Sequence, residues 1–288
     1  MFDFDRVKKM ATGCRWGARL LLVLLLGALL TGCGSSMAIK GTKDEGLRLA
    51  RLLRDQGRIE AATEVYARMD GRGELQGTEL LEYASVAAPV RQPQQTLELY
   101  GRARHELGAT DRLKPQEALA ICLGMGRAQL ALGRHALAQK DFACALKAQP
   151  DSVGALNGMG VVLEAAGRHG EARELFEKAL QVNPADVAAI NNLALSWLAS
   201  GEAGKAIGLL RSVDNGNPAD KLNLALAYLY DGRQDEARGT LATIAQPRFI
   251  DGLMETLQQR LQQMRQENNG GETLLLSSRQ RLQLSNPE

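Results

Sequence analysis

Three prolines, Pro150, Pro184 and Pro218, stand 34 residues apart. So do Gly133, Gly167 and Gly201, and so do Ala138, Ala172 and Ala206. Within each copy the order is the same: a glycine turn, a small residue five positions on, a bulky apolar residue (Phe142, Phe176, Leu210), a third apolar residue (Ala145, Ala179, Val213), and a proline. That spacing predicts a helix carrying one apolar stripe, entered through a glycine turn and closed by a proline. A preceding helix brings its own small residue (Gly126, Gly160, Ala194) to the crossing. Two antiparallel helices approach closely only where both present small side chains, and the bulky residue fills the space beside them. Each pair leaves an apolar face that only the next pair can cover, so the period predicts a stacked array.

The 34-residue helix–turn–helix pattern resembles the tetratricopeptide repeat (TPR). The predicted fold is all-α: a right-handed TPR solenoid of about five to six repeats with a C-terminal capping helix. Composition agrees, with aromatics at 4% and helix-forming Ala, Leu, Arg, Gln and Glu prominent. Residues 43–110 read as two divergent repeats, with Gly57–Arg58, Ala62 and Tyr66 marking the first; in the second, Thr96 stands where the small crossing residue belongs. Residues 111–118 read as an insertion that lengthens the next helix. Residues 119–250 hold four repeats, 251–267 a capping helix, and 268–288 a polar tail interrupted by Leu274–Leu275–Leu276.

Residues 1–32 read as a signal segment: a basic stretch (Lys8, Lys9, Arg15, Arg19) before an apolar run, Leu20 to Leu30. The run is shorter than the roughly 20 residues a membrane span needs and suits secretion. It ends in Leu30–Thr31–Gly32–Cys33, which resembles the bacterial lipobox. The resemblance implies cleavage before Cys33, acylation of that cysteine and a membrane anchor. Gly34 follows it rather than the aspartate associated with inner-membrane retention, so the family rule implies the periplasmic face of the outer membrane, with residues 33–42 as a tether. Without the signal the formal charge falls from +2 by the segment's +3 (five basic, two acidic) to −1. A nearly neutral body argues against a nucleic-acid-binding surface built on bulk charge. Cys122 and Cys144 read as two small buried hydrophobes, in a compartment that permits a disulfide.

No catalytic set, metal-ligand cluster or phosphate-binding loop is legible, and no cofactor is expected. His135 and His169, one period apart, read as exposed residues opening second helices. Binding is the expected activity. The inner stripe of the first helices predicts a groove lined by Arg127, Asn157, Val161, Asn191, Leu195, Leu198, Leu226 and Leu229. That groove suits an apolar partner segment, with Asn side chains either bonding the partner's backbone or tying helices within the array.

Asn191–Asn192–Leu193–Ala194–Leu195–Ser196 and Asn223–Leu224–Ala225–Leu226–Ala227–Tyr228, with Asp235–Glu236–Ala237–Arg238 and the lipobox, resemble the TadD-type lipoproteins of tight-adherence (Flp) pilus systems. The resemblance covers roughly 119–265. It implies a pilotin: an outer-membrane-anchored scaffold that binds secretin or another pilus-assembly protein, with no nucleic acid or small-molecule substrate. Pilotins of other type IV pilus or secretion systems, and scaffolds for cell-wall or outer-membrane assembly enzymes, are the alternatives.

Overall fold

The computed structural model describes residues 41–213 and 217–266. The chain divides into two units between Gly46 and Leu47. Of the first unit, 41–46 are described and contain the start of the first helix. The signal segment with Cys33, most of the tether, and the tail 268–288 lie outside the described residues.

Among the described residues, thirteen α-helices and one short 3-10 turn make up the regular structure. The first helices of successive pairs are α1 (Lys43–Asp55), α3 (Thr78–Ala87), α5 (Pro115–Ala131), α7 (Val153–Ala165), α9 (Val187–Ala199) and α11 (Pro218–Tyr230). Their second helices are α2 (Ile59–Gly71), α4 (Pro93–Leu107), α6 (His135–Ala148), α8 (His169–Val182), α10 (Ala203–Arg211) and α12 (Gln234–Ala242). A final helix, α13 (Pro247–Gln266), packs on α11 and α12. From α3 to α12, each first helix touches its own second helix, and each second helix touches the next first helix; this is the stacking of a TPR solenoid. None of the described helices is long and apolar enough to cross a membrane.

The turns follow one recipe. After α5, α7 and α9 the chain passes through Gly133, Gly167 and Gly201 with φ of 70°, 74° and 84°. In that left-handed region a glycine carries no Cβ penalty. The next amide then reaches back five residues: Arg134 N donates to Gln129 O, Arg168 N to Leu163 O and Glu202 N to Trp197 O, each at 2.9 Å. The glycine amide closes the shorter ring, as Gly167 N does on Glu164 O at 3.0 Å. This is the Schellman arrangement, which satisfies the last carbonyls of each first helix.

The evenly spaced prolines do two jobs. Pro150 and Pro184 lie just past the ends of α6 and α8, each of 14 residues. The corresponding helix α10 has only 9, so Pro218 falls at the start of α11, where its missing N–H costs nothing. Helix α5 is 17 residues long against 13 for α7 and α9, with Pro115 opening the additional turn. Pro89 has the opposite effect and holds α3 to 10 residues.

The core follows the glycine pattern. Phe142 and Phe176 are fully buried. A Cβ on Gly158 would lie 2.4 Å from the Phe142 ring, and one on Gly160 would lie 2.4 Å from the Phe176 ring. The glycines therefore act as sockets for the rings. Two main clusters form: one from Leu47 to Met125 and one from Leu130 to Leu261. In the first, Arg51 and Arg54 of α1 both reach Glu82 of α3, at 2.8 and 2.6 Å. Partial burial works against ionisation of Glu82, but the Arg51 hydrogen bonds and the two guanidinium charges hold its carboxyl below the usual range.

Cys122 and Cys144, expected as separate apolar residues, form a disulfide instead (S–S 2.01 Å). Cys122 of α5 and Cys144 of α6 face one another across an antiparallel pair, with Cα atoms 5.8 Å apart. That is within the range a disulfide bridges without moving the backbone.

Candidate functional site

The structure distributes the eight predicted groove residues over three environments. Val161, Leu195, Leu198, Leu226 and Leu229 are buried, at 0–8% exposure, in the C-terminal core. They do not line an open groove. The reason is the packing of an inner helix: α9 has α7, α8, α10 and α11 against it, so its aliphatic stripe faces neighbours rather than solvent.

Asn157 and Asn191 are half-buried and belong to a polar row that joins first helices. Asn192 Nδ2 donates to Asn157 Oδ1 at 2.8 Å, linking α9 to α7. Asn191 Nδ2 donates to Asp220 Oδ1, and Asn223 Nδ2 donates to Asn191 Oδ1 at 3.3 Å, linking α9 to α11. Of the two readings open for these asparagines, the structure shows the tie within the array.

Arg127 is different. It is exposed, on α5, and it borders a cleft of about 560 Å³. Ser85, Ala88 and Pro89 at the end of α3 form one wall, and Thr96 and Tyr100 of α4 form the base. The opposite wall is α5, presenting Leu119, Ala120, Leu123, Gly124 and Ala128. The cleft exists because α3 stops early while α5 runs long. Tyr100 closes its floor because position 124 is a glycine; a Cβ there would stand 2.1 Å from the ring. Burial pushes the Tyr100 phenol above its ordinary pKa, and its hydroxyl contacts Ser85 Oγ at 3.4 Å. Arg127 is the sole charged residue of the lining. Volume and lining fall within the range of binding pockets, which are mostly apolar with a few placed polar groups.

A second polar centre was not legible. Glu164, at the end of α7, is fully buried. Its Oε1 lies 2.7 Å from His169 Nδ1, and its Oε2 accepts from Ser196 Oγ at 3.0 Å. His169 is thus not a free surface residue; it covers a buried carboxylate. Arg173 extends the set by donating to Ser200 Oγ at 2.8 Å and stacks 4.4 Å above Trp197, whose ring also meets Lys205 at 4.0 Å. The signal was present as Glu164 five residues before His169, but only the stacking of α9 on α7 brings Ser196 to it. These links join repeats and hold no reacting group in an open cavity. Ser196→Ala is expected to lower stability by about 1–3 kcal/mol, because it leaves one oxygen of a buried carboxylate without its donor. Urea titration followed by circular dichroism measures this. Among the described residues, no three His, Cys, Asp or Glu side chains come together as a metal site.

Residues 123–186 and 163–221 each match a model of the tetratricopeptide repeat. No curated protein matches the chain significantly. Among solved structures, the chain is similar to a tetratricopeptide repeat protein from Parabacteroides merdae, at 17% identity and a TM-score of 0.58, over 77% of this chain and 87% of that one. It is similar to PilF of Pseudomonas aeruginosa at 16% identity and a TM-score of 0.55, over 75% and 96%. It also matches a chain of the Cut9–Hcn1 APC/C hetero-tetramer at 17% identity and a TM-score of 0.58, over 75% and 46%. At such identities the likeness speaks to the fold alone.

Proposed function

We propose that this tetratricopeptide-repeat protein is a protein-binding scaffold, anchored through Cys33 at the periplasmic face of the outer membrane and serving assembly of a tight-adherence pilus. The observation that carries the binding role is the open apolar cleft at Arg127, within an array whose other inner side chains are occupied by helix-to-helix contacts. Support for the anchor comes from Leu30–Thr31–Gly32–Cys33, and support for the pilus system from the Asn–Asn–Leu–Ala and Asn–Leu–Ala–Leu–Ala stretches. In this reading the protein acts as a pilotin. Acyl chains at Cys33 hold the array at the membrane surface. The array captures an apolar segment of a secretin subunit or another assembly protein, and tethering raises that partner's local concentration where it assembles.

Cys33→Ser is expected to leave the array folded and to move the protein from the outer-membrane fraction to the soluble periplasmic fraction. Fractionation with immunoblotting, and pilus counts on the same cells, read both halves of the claim. A mutant that leaves the membrane yet assembles pili normally would rule out the pilotin role.

A further inference from the structure

We infer that the Arg127 cleft receives one amphipathic helix of the partner, and that this helix carries a carboxylate beside its apolar ridge. The inference rests on the scaffold reading and names the chemistry of what the scaffold takes.

Three features converge. The first is shape. Ala120 and Ala128 give α5 a shallow row along the cleft wall, and Gly124 between them is filled by the Tyr100 ring of the floor. Pro89 ends α3 before it can cover that row. The space left open lies beside α5, where the missing turn of a neighbouring helix would have packed, and small residues allow close helix approach.

The second is hydrogen bonding. Of the polar lining residues, Ser85, Thr96 and Tyr100 spend their hydroxyl protons within the array, on Leu81 O, Gln92 O and Ser85 Oγ, which leaves Gln116 and Arg127, too few to serve the backbone of a whole segment. An extended segment laid there would leave most of its own N–H and C=O groups without partners. A helix satisfies them internally.

The third is charge. Arg127 is the only charged side chain in the lining, and among the described residues no ion pair joins it to a carboxylate. Its guanidinium lies over Gly154, where an added Cβ would come within 2.6 Å of Nη2. Gly154 belongs to the first turn of α7, an end that carries partial positive charge. Arg127 thus brings a positive charge to the margin of an apolar cleft, with the start of α7 beside its guanidinium. An Asp or Glu side chain on the incoming segment would pair with Arg127, while a cation would be repelled by it.

The test uses the full chain in detergent and two fluorescent peptides. Both are helices of roughly four turns, with one Leu/Ala face and Gln elsewhere; one carries a single Glu beside the ridge, and the other carries Lys at that position. The Glu peptide is expected to bind about tenfold more tightly than the Lys peptide by fluorescence anisotropy. Arg127→Glu should reverse the preference. Ala131→Trp, at the exposed rim, should weaken both peptides. Arg127 and Ala131 are exposed, so folding is preserved, and circular dichroism checks it. Equal binding of the two peptides, binding of neither, or an unchanged preference in Arg127→Glu would overturn the assignment. Co-purification of the pilus partner with the full chain, unaltered by Arg127→Glu, would also overturn it while leaving the scaffold reading intact. Discrimination between the peptides with no pilus partner recovered would support the cleft and count against the pilotin role.

Discussion

Replacing Phe176 with alanine is expected to destabilise the array by about 4 kcal/mol, the range for emptying a fully buried aromatic site. The ring sits at the crossing of α7 and α8, against the bare backbone of Gly160. Its loss opens a cavity that neither helix can collapse into, because each is also held by the next pair. The converse change is damaging for the same reason. A side chain at Gly160 meets the ring at 2.4 Å, so Gly160→Val should cost several kcal/mol through overpacking. Combining Gly160→Ala with Phe176→Leu should recover part of the loss, since the smaller residue vacates the space the methyl needs. Urea midpoints from circular dichroism give all three values. Equal losses for Gly160→Ala alone and for the double variant would show that the glycine is not a socket.

Reducing the Cys122–Cys144 disulfide is expected to cost roughly 3 kcal/mol, from the chain entropy returned to the unfolded state when a loop of 22-residue separation is opened. The bond ties α5 to α6 at their packed faces, with Ala145 and Ala155 beside it. Thermal melting with and without a phosphine reductant should show the loss. The paired change Cys122→Ser with Cys144→Ser should melt at the reduced protein's temperature and ignore the reductant. An unchanged melting temperature on reduction would mean that the two thiols contribute through packing alone.

The fold was legible because its determinants are local and repeated. Gly133, Gly167 and Gly201 mark the turns, and Phe142 with Phe176 marks the crossings, so one register places every helix between them. The candidate site was less legible. Leu195 and Leu226 have the same apolar character whether they face a partner or a neighbouring helix, and only three-dimensional stacking decides that they are buried. Arg127 is exposed, and the cleft beside it depends on two irregularities of length, in α3 and α5, that a periodic template smooths away. The disulfide was obscured for a related reason: a separation of 22 residues says nothing until the two helices are paired face to face.

Helix α5 also has a place in both cores. Ile121 and Met125 belong to the N-terminal cluster, while Leu130, less than two turns on, belongs to the C-terminal one. In a stacked array each unit leans mainly on its neighbours, so cooperativity passes from one half to the other chiefly through this single helix and its disulfide. The Arg127 cleft opens on the same joint, with α3 and α4 on one side and α5 on the other. A partner seated there acts as a splint: by binding only the assembled joint, it draws the two halves into one cooperative body. Occupancy of the cleft would then be felt as stiffness along the whole array, including repeats the partner never touches.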